Sequence, residues 1–337
     1  MLNIAKVLLI NYFNFERGDV IIDDKKITSS TKLKIFVVGS INMDLVVVAN
    51  SFPKKGETTM GNDFFTNPGG KGANQAVALA KMGADVEMVG AVGQEFGDEL
   101  LKTLKKYNVS TTYVKNHKNV SSGIATIIVA DGDNRIIVNA GSNALISKED
   151  VDKALHKASA GDFMLCQLEI PLPIVEYALV QAKAKGMVTF LNPAPYASLT
   201  AAIFTNADYF LPNQSETLLY TDIYPSNVEE ARKAAQKITE LGIKNVLITL
   251  GENGAYFYNK EKEYYVPAYE TKALDTTGAG DTYVGTFLSM LAEQKEISDA
   301  MDCASLASSI TVQRLGAQQA IPYRAELEKL RRQHANS

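Results

Sequence analysis

The stretch A-L-D-T-T-G-A-G-D-T-Y-V-G-T-F-L-S-M, from Ala273 to Met290, decides how the rest of the sequence is interpreted. We predict a short strand-like lead-in that ends at Asp275, then a loop of small residues, then a helix with an apolar pattern. Small residues at a helix start leave backbone N–H groups uncovered, and the positive end of the helix dipole adds to their attraction for anions. The pattern predicts an anion site at Gly278, Ala279 and Gly280.

Asp281 follows this loop directly. A carboxylate there lies beside the predicted anion site and can accept a proton from a hydroxyl group. A phosphate site next to a base is what phosphoryl transfer to an alcohol requires. The alternative is that Asp281 only caps its helix, because Asp is a favoured N-cap residue.

Composition limits the class of protein. The chain has 337 residues, of which 46% are hydrophobic and 21% are charged, so it can form a globular protein with a full core. A net charge of −4 gives no general attraction for nucleic acid or an anionic membrane surface. The two cysteines, Cys166 and Cys303, have no metal-binding or redox spacing, so we expect buried, reduced thiols in a cytoplasmic protein.

Residues 1–32 differ from the rest of the chain. Their apolar segment is interrupted early by polar residues, is too short to span a membrane, and lacks the basic start and cleavage site of a signal peptide. We predict a flexible N-terminal extension of unknown role.

The core pattern begins at Lys34 and alternates strand-like runs with helix-like segments. Ile35–Val38 is a continuous apolar run, typical of a strand that is buried on both faces, and Leu45–Val48 follows as a second strand. Later runs, such as 188–191 and 246–250, also end in polar or Gly-rich loops. Residues 124–129 and 135–138 flank a turn sequence and predict a hairpin. This order predicts an α/β fold with a parallel sheet, and with polar or Gly-rich loops at the carboxyl ends of its strands.

Two early loops carry further candidate residues. Asn42 and Asp44, two positions apart, could both face a polyol at a strand end, although both residue types are also common in ordinary turns. Pro68–Gln75 contains three glycines with Lys71 and Asn74, which permits close approach of the backbone to a ligand. The spacing is neither a Walker A nor a Rossmann pattern, and a tight strand–helix turn is the alternative.

Two signatures together resemble the ribokinase-like family of carbohydrate kinases. They are G-G-K-G-A-N-Q-A at 69–76 and D-T-T-G-A-G-D-T-Y at 275–283, and the G-S-I-N-x-D opening at 39–44 matches as well. The resemblance covers about residues 34–327. It implies an α/β kinase domain at 33–330 with a doubly wound, mostly parallel sheet flanked by helices, and a tail at 331–337. It also implies a small β-sheet lid with strands roughly within 45–68 and 124–138. Because lids in this family pair across a dimer, it also implies a homodimer through the lid strands.

The resemblance also implies site residues. The residues that would contact the sugar are Asn42, Asp44, Gly70, Lys71, Asn74 and Glu169, with Asp281 as the base and Gly278, Ala279 and Gly280 as the anion hole. The residues that would bind ATP and help place Mg²⁺ are Asn213, Glu216, Thr249, Leu250, Gly251, Gly254, Gly280 and Ser305. The residues that resemble the family's loop for an activating K⁺ ion are Asp275, Thr277, Thr311, Arg314, Gly316 and Ala320. Ser305 and Ala320 depart from the usual residues, which puts an adenine contact and one side-chain cation ligand in doubt.

The sugar-contacting set resembles the ribose-binding set of this family. The resemblance therefore implies ATP-dependent phosphorylation of D-ribose at O5. The alternatives are a kinase of a fructose, ketodeoxy-sugar or nucleoside substrate, and a non-catalytic sugar- or nucleotide-binding regulator, against which the intact G-A-G-D sequence speaks. We expect the sugar and ATP as partners, and neither nucleic acid nor a membrane.

Overall fold

The computed structural model describes residues 33–335, and the predicted extension at 1–32 lies outside this part of the chain. The apolar run after Lys34 forms strand β1 (Lys34–Val38), in which the four side chains from Ile35 to Val38 are fully buried. β1 pairs in parallel with β8 (Phe163–Cys166) on one side and with β4 (Asp85–Gly93) on the other. A strand buried in this way needs apolar residues on both faces, which explains the continuous run.

β1 belongs to a nine-stranded sheet with the strand order β13-β12-β11-β10-β9-β8-β1-β4-β5. Its pairs are parallel except at one end, where β12 is antiparallel to β11 and β13 is antiparallel to β12. The remaining strands of this sheet are β5 (Ser110–His117), β9 (Val188–Leu191), β10 (Tyr209–Phe210), β11 (Asn245–Thr249), β12 (Ala255–Tyr258) and β13 (Glu263–Val266).

Helices cover both faces of this sheet, as a doubly wound fold requires. One apolar cluster packs helices α1, α2, α8 and α9 on one face, and a second cluster packs α3, α4, α5 and α7 on the other. The helices are α1 (Lys71–Lys81), α2 (Gly97–Lys106), α3 (Lys148–Leu155), α4 (Leu172–Ala184), α5 (Ala201–Asn206), α6 (Gln214–Thr221), α7 (Val228–Glu240), α8 (Ala279–Ala292), α9 (Ile297–Thr311) and α10 (Arg324–Ala335). The predicted fold class is confirmed.

A separate four-stranded sheet, here called the small sheet, has the order β3-β2-β6-β7. Its strands are β2 (Asn42–Ala49), β3 (Gly61–Gly69), β6 (Gly123–Ala130) and β7 (Asp133–Asn139). β6 and β7 form an antiparallel hairpin closed by Asp131 and Gly132 alone, both with positive φ, so the turn is two residues long. These strands overlap the two ranges from which lid strands were predicted and extend beyond them by one to three residues.

Two local predictions were wrong. The lead-in to Asp275 is not a strand, because β13 ends at Val266 and residues 267–276 are irregular. The second strand begins at Asn42 and not at Leu45, so Asn42 and Asp44 lie within β2 on the same side of the strand. Their pairing with β3 and β6, which are distant in sequence, extends the strand through a polar segment.

Candidate active site

The candidate site lies at the carboxyl ends of β1 and β8, where the order of the large sheet reverses direction. The chain passes from β1 to β4 on one side, whereas β8 to β11 are added on the other. Loops that leave neighbouring strands in opposite directions open a crevice there, which is the usual ligand site of such sheets. Ser40 and Asn42 follow β1, and Glu169 follows β8.

The Glu169 carboxylate joins these loops. Its Oε2 atom accepts hydrogen bonds from Ser40 Oγ at 2.6 Å, from the Lys71 backbone N at 3.1 Å and from Asn42 Nδ2 at 3.3 Å. Three donors on one oxygen fix the carboxylate and hold three separate segments together. Ser40 was not among the predicted site residues.

Helix α1 begins at this point because of Gly70, its N-cap, which has a φ of 89°. A side chain at Gly70 would also meet the Asn42 backbone N, since an ideal Cβ would lie 2.8 Å from it. Gly70 therefore lets the loop pass closely over β2 before the helix starts. The alternative of a tight strand–helix turn is correct as geometry, and the same turn places Lys71 and Asn74 at the site.

Asp281 lies in the first turn of α8 and is buried. Gly278 occupies the N-cap, and the Asp281 carboxylate accepts from other side chains instead: Oδ2 from Asn74 Nδ2 and Oδ1 from Gln75 Nε2, each at 2.9 Å. The alternative that Asp281 only caps its helix is therefore wrong. The carboxylate is held across the gap between α8 and α1.

The close approach of α8 to α1 makes these contacts possible. At Gly285, one turn further along α8, an added Cβ would lie 2.4 Å from the Ala78 Cβ atom and 2.9 Å from the Gln75 carbonyl oxygen. The two helices can lie this near only because residue 285 has no side chain and residue 78 has a small one.

The cluster of charges changes the pKa of its members. Burial, followed by the charges of Glu169 and Asp281, raises the pKa of Asp44 to about 7. Burial lowers the pKa of Lys71, but the carboxylates of Asp281, Glu169 and Glu216 outweigh it and raise that pKa above its usual value. Lys71 therefore stays protonated among several carboxylates. The ionised form of Asp44 is destabilised by burial and by the neighbouring negative charges.

A cleft of about 920 Å³ adjoins the start of α8. The predicted nucleotide and anion residues that line it are Asn213, Thr249, Gly251, Gly254, Ala279, Gly280 and Ser305. Leu250 lies beneath the surface with its side chain in the core. Ser305 Oγ donates to the Pro267 carbonyl at 3.1 Å, so its hydroxyl group is engaged with the cleft wall. Because α8 begins at Ala279 and Gly280, which line this cleft, the positive end of the helix dipole makes its inner end suited to phosphate, although the Ala279 N–H already donates to the Thr276 carbonyl at 3.2 Å.

Asn213 and Glu216 form a capping box at the start of α6. The Glu216 carboxylate accepts from the Asn213 backbone N at 2.9 Å and from Asn213 Nδ2 at 3.0 Å, while Asn213 Oδ1 accepts from the Glu216 backbone N at 2.8 Å. Burial raises the pKa of Glu216 although the Asn213 backbone donor opposes it. The pair holds a carboxylate rigidly at the edge of the cleft.

Asp275 joins the two loops predicted to bind a monovalent cation. Its Oδ1 atom accepts from the Thr277 backbone N and its Oδ2 from the Gly316 backbone N, each at 2.9 Å. Burial opposes the charge of Asp275, but hydrogen bonds from the Thr277 side chain and from the Thr277 and Gly316 backbone lower its pKa below the usual value.

The other predicted cation residues are engaged differently. Arg314 pairs with Glu326 and donates to the Ala320 carbonyl, and Thr311 Oγ1 donates to the Ala307 carbonyl at 3.1 Å. The structure thus brings the two loops together, but Thr311 and the Ala320 carbonyl already have partners.

Some site residues were missed from the sequence. Gln75, Gln167 and Asn192 form a buried chain of side-chain amides that ends on Asp281. Gln75 lies inside the 69–76 signature, and Gln167 lies two positions before Glu169. These positions are the sequence signals that could have pointed to them. Their partnership could not be predicted because it joins residues from three separate parts of the chain.

Three wider features of residues 33–335 bear on function. Both cysteines are free and buried. In this part of the chain, no helix is long and apolar enough to cross a membrane. The same residues contain no group of three or more His, Cys, Asp or Glu side chains arranged to hold a metal ion.

Comparison with known proteins identifies the family of this chain. The sequence profile of the pfkB family of carbohydrate kinases matches residues 32–324. The chain is 40% identical to ribokinase from Schizosaccharomyces pombe over 308 residues, which covers 88% of this chain and 97% of that one. It is 35% identical to deoxyribokinase from Salmonella typhimurium over 293 residues, covering 86% of this chain and 96% of that one.

The fold has solved counterparts. The structure of Arabidopsis thaliana ribokinase complexed with ribose and ATP superposes with a TM-score of 0.82 at 29% identity, covering 88% of this chain and 98% of that one. The chain therefore belongs to the pfkB family of carbohydrate kinases and is an ATP-dependent carbohydrate kinase of the ribokinase type.

Proposed function

We propose that this kinase phosphorylates D-ribose at O5 and forms D-ribose 5-phosphate. The observation that carries the proposal is the polar cluster beside the start of α8, where Asp44, Lys71 and Glu169 surround a crevice next to Asp281. The inner end of the large cleft meets the same helix start. A sugar in the crevice and a nucleotide in the cleft would thus meet at Asp281.

The sugar side of the site is built for hydroxyl groups. Asn42, Asp44, Lys71, Asn74 and Glu169 offer amide, carboxylate and ammonium groups, and the Gly70 backbone lies between them. Buried groups of this kind discriminate against an analogue that lacks one hydroxyl, because their hydrogen bonds would go unpaired. A sugar hydroxyl group that donates to Asp44 would stabilise its carboxylate, which burial and like charges disfavour: they raise the pKa of Asp44 to about 7 without a ligand.

Asp281 acts as the base in this proposal. The O5 hydroxyl proton passes to the Asp281 carboxylate as the O5–P bond forms, and the bond between the β–γ bridging oxygen and the γ-phosphorus breaks so that ADP leaves. Backbone N–H groups of Gly278, Ala279 and Gly280 would stabilise the charge on the transferring phosphoryl group. No covalent enzyme intermediate is required.

The residues around the cleft suit a nucleotide with Mg²⁺. Bound Mg²⁺ would neutralise phosphate charge, and it needs only one or two protein carboxylates. Glu216, held by Asn213, is a carboxylate at the cleft edge and would support the metal and its water ligands.

We also propose K⁺ activation through the loops around Asp275 and Gly316. Asp275 is kept ionised by its two backbone donors and ties these loops together beside Gly278. One carboxylate and several backbone carbonyl groups form a suitable oxygen set for a weakly hydrated cation. Because Arg314 uses the Ala320 carbonyl, we expect Ala320 to contribute least of the predicted set.

A homodimer through the small sheet is supported by exposed apolar side chains on its two edge strands, β3 and β7. Phe64 on β3 is 60% exposed and Ile137 on β7 is 72% exposed, and Phe65, Ile136 and Val138 are exposed as well. Exposed apolar side chains on the edge strands of a sheet are typical of a protein interface. The buried free thiols support a reducing compartment, which we propose is the cytoplasm.

The second candidate function is phosphorylation of another substrate, such as deoxyribose, a fructose, a ketodeoxy-sugar or a nucleoside. The similarity to Salmonella typhimurium deoxyribokinase is the specific observation in its favour. A purely regulatory role is opposed by the buried, hydrogen-bonded Asp281 next to an anion site.

A coupled assay of ATP consumption over a panel of these compounds tests the proposal. We expect kcat/KM to be at least about tenfold higher for ribose than for any other compound, because a missing hydroxyl leaves buried groups unpaired. NMR of the product would identify the phosphorylated position. A higher kcat/KM for deoxyribose or a nucleoside would refute the ribose assignment, and no ATP consumption with any compound would favour the regulatory role.

A further inference from the structure

Gln75 is fully buried between the candidate base and two other side-chain amides. Its Nε2 atom donates to Asp281 Oδ1 and to Asn192 Oδ1, each at 2.9 Å. Its Oε1 atom accepts from Gln167 Nε2 at 2.6 Å. Both N–H bonds of the amide are thus in use, and one of them is directed at the carboxylate.

A backbone carbonyl determines which way this amide points. Asn192 Nδ2 donates to the Leu211 carbonyl oxygen at 2.8 Å, and a carbonyl can only accept. The Asn192 side-chain oxygen must therefore face Gln75, and Gln75 must donate to it through its side-chain nitrogen. A flipped Gln75 would set its own oxygen against both the Asn192 oxygen and the Asp281 carboxylate. The donor on Asp281 is thus fixed by Leu211, which lies at the end of β10.

A second pair of side-chain amides reaches the other carboxylate oxygen. Asn74 Nδ2 donates to Asp281 Oδ2 at 2.9 Å, and Gln318 Nε2 donates to Asn74 Oδ1 at 3.2 Å. The Gln318 backbone is held by Lys81 Nζ, which donates to its carbonyl at 2.8 Å. Both oxygens of Asp281 therefore receive a side-chain amide donor, and the direction of the Gln75 donor is set by a backbone carbonyl elsewhere in the fold.

We propose that Gln75 is a positioning residue for the base Asp281 and that Asn192 sets the direction of its amide. This role rests on the proposed function of Asp281. A carboxylate can rotate about its last side-chain bond, and a donor on each oxygen fixes the plane from which it accepts a proton. Each oxygen keeps a further lone pair for the sugar hydroxyl. Asn192 acts on the base through Gln75.

Two nearly isosteric substitutions break the hydrogen bonds that run from Asn192 through Gln75 to Asp281. We expect Gln75→Met to lower kcat by about 10–100-fold and Asn192→Leu by about 3–30-fold, with KM for the sugar changed by less than about threefold, because positioning acts on the chemical step. The matched control is Thr189→Val on β9, the strand that leads to Asn192. Thr189 is also buried, and its hydroxyl group bonds to Asp208 and the Asn206 carbonyl, neither of which belongs to the amide chain that ends on Asp281. The control should lose a similar amount of stability and keep its kcat.

A double-mutant cycle with Asp281→Ala separates positioning from general damage. If Gln75 acts through Asp281, then Gln75→Met should lower the residual kcat of Asp281→Ala by less than about twofold. A loss in that background as large as in the wild type would overturn the proposal. If Asp281→Ala alone kept near-normal turnover, the base assignment would fail, and the role of Gln75 would fail with it.

Gln75→Glu gives a second readout should the methionine variant fold poorly. It keeps the shape of the amide and the acceptor for Gln167, but it can donate to Asp281 only when it is protonated. We expect its kcat, relative to the wild type, to rise at least about fivefold between about pH 9 and about pH 6. A deficit as large as that of Gln75→Met at every pH would overturn the proposal, because the protonated carboxyl group offers Asp281 a donor that methionine lacks.

Discussion

The substitution Asp44→Asn removes a carboxylate whose negative charge is destabilised by burial and by neighbouring carboxylates in the sugar site. Burial first, and then the charges of Glu169 and Asp281, raise the pKa of Asp44 in the folded protein to about 7 from an ordinary value of 3.8. The folded state therefore retains a proton that the unfolded chain has lost. Asparagine keeps the shape of the side chain and never carries the charge.

The sign of the effect follows from proton linkage. Between about pH 4 and pH 7 the folded protein binds more protons at Asp44 than the unfolded chain, so the free energy of unfolding falls as the pH rises through that range. A rise in pKa from 3.8 to about 7 corresponds to about 4 kcal/mol when the titration is complete. Asp44 is partly exposed at the crevice, so water screens part of this, and we expect about 2 kcal/mol.

Urea denaturation at two pH values measures this difference. The free energy of unfolding of Asp44→Asn should exceed that of the wild type, and the gap should widen by about 1–2 kcal/mol between about pH 5 and about pH 8. The control is Asp133→Asn, the same chemical change at an exposed position of the small sheet, for which we expect no widening. An equal gap at both pH values for Asp44→Asn would refute the account of this carboxylate.

The stabilised variant should bind the sugar poorly. We expect the dissociation constant for ribose to rise at least about tenfold, because asparagine replaces a charged acceptor by a neutral amide. Isothermal titration calorimetry at about pH 8 measures this. Unchanged affinity would place the sugar hydroxyl groups away from Asp44.

The remaining predictions concern other parts of the chain. Asp281→Asn should lower turnover by about 10²–10⁴-fold and weaken ribose binding far less, and near-normal turnover in the folded variant would remove Asp281 as the base. K⁺ should raise turnover well above Na⁺ at constant ionic strength, and Asp275→Ala should abolish the difference; a response that survives in the variant would place the cation elsewhere. Ile137→Lys should give a monomer in analytical ultracentrifugation if β7 forms the dimer interface, because it puts a charge into an apolar surface. Deleting residues 1–32, which lie outside the described part of the chain, should leave kcat and KM within about twofold.

The position of several buried strands could be predicted because each contains a continuous apolar run. Ile35–Val38 and 246–248 are examples, since a strand covered by helices on both faces admits few polar side chains. The start of β2 could not be predicted in this way. Asn42 is polar and joins the strand because β3 and β6 supply its hydrogen-bond partners. The irregular path before Asp275 was mistaken for a strand for the opposite reason, because no strand within residues 33–335 pairs with it.

The sequence by itself predicted the two short segments that supply residues to the candidate site. Gly70, Lys71, Gly278 and Asp281 stand in two short signatures, and their residue types alone suit a close turn, a cation, an anion loop and a base. These are local properties, so the sequence carries them directly.

Only the tertiary structure decided how Asp281 is held. Its partners Asn74 and Gln75 are more than 200 residues away in the chain, and they reach it because Gly285 lets α8 lie against α1. The direction of the Gln75 amide depends in turn on a backbone carbonyl at the end of β10. A buried amide takes its orientation from the donors and acceptors around it, and those neighbours are assembled only when the sheet and its helices pack together.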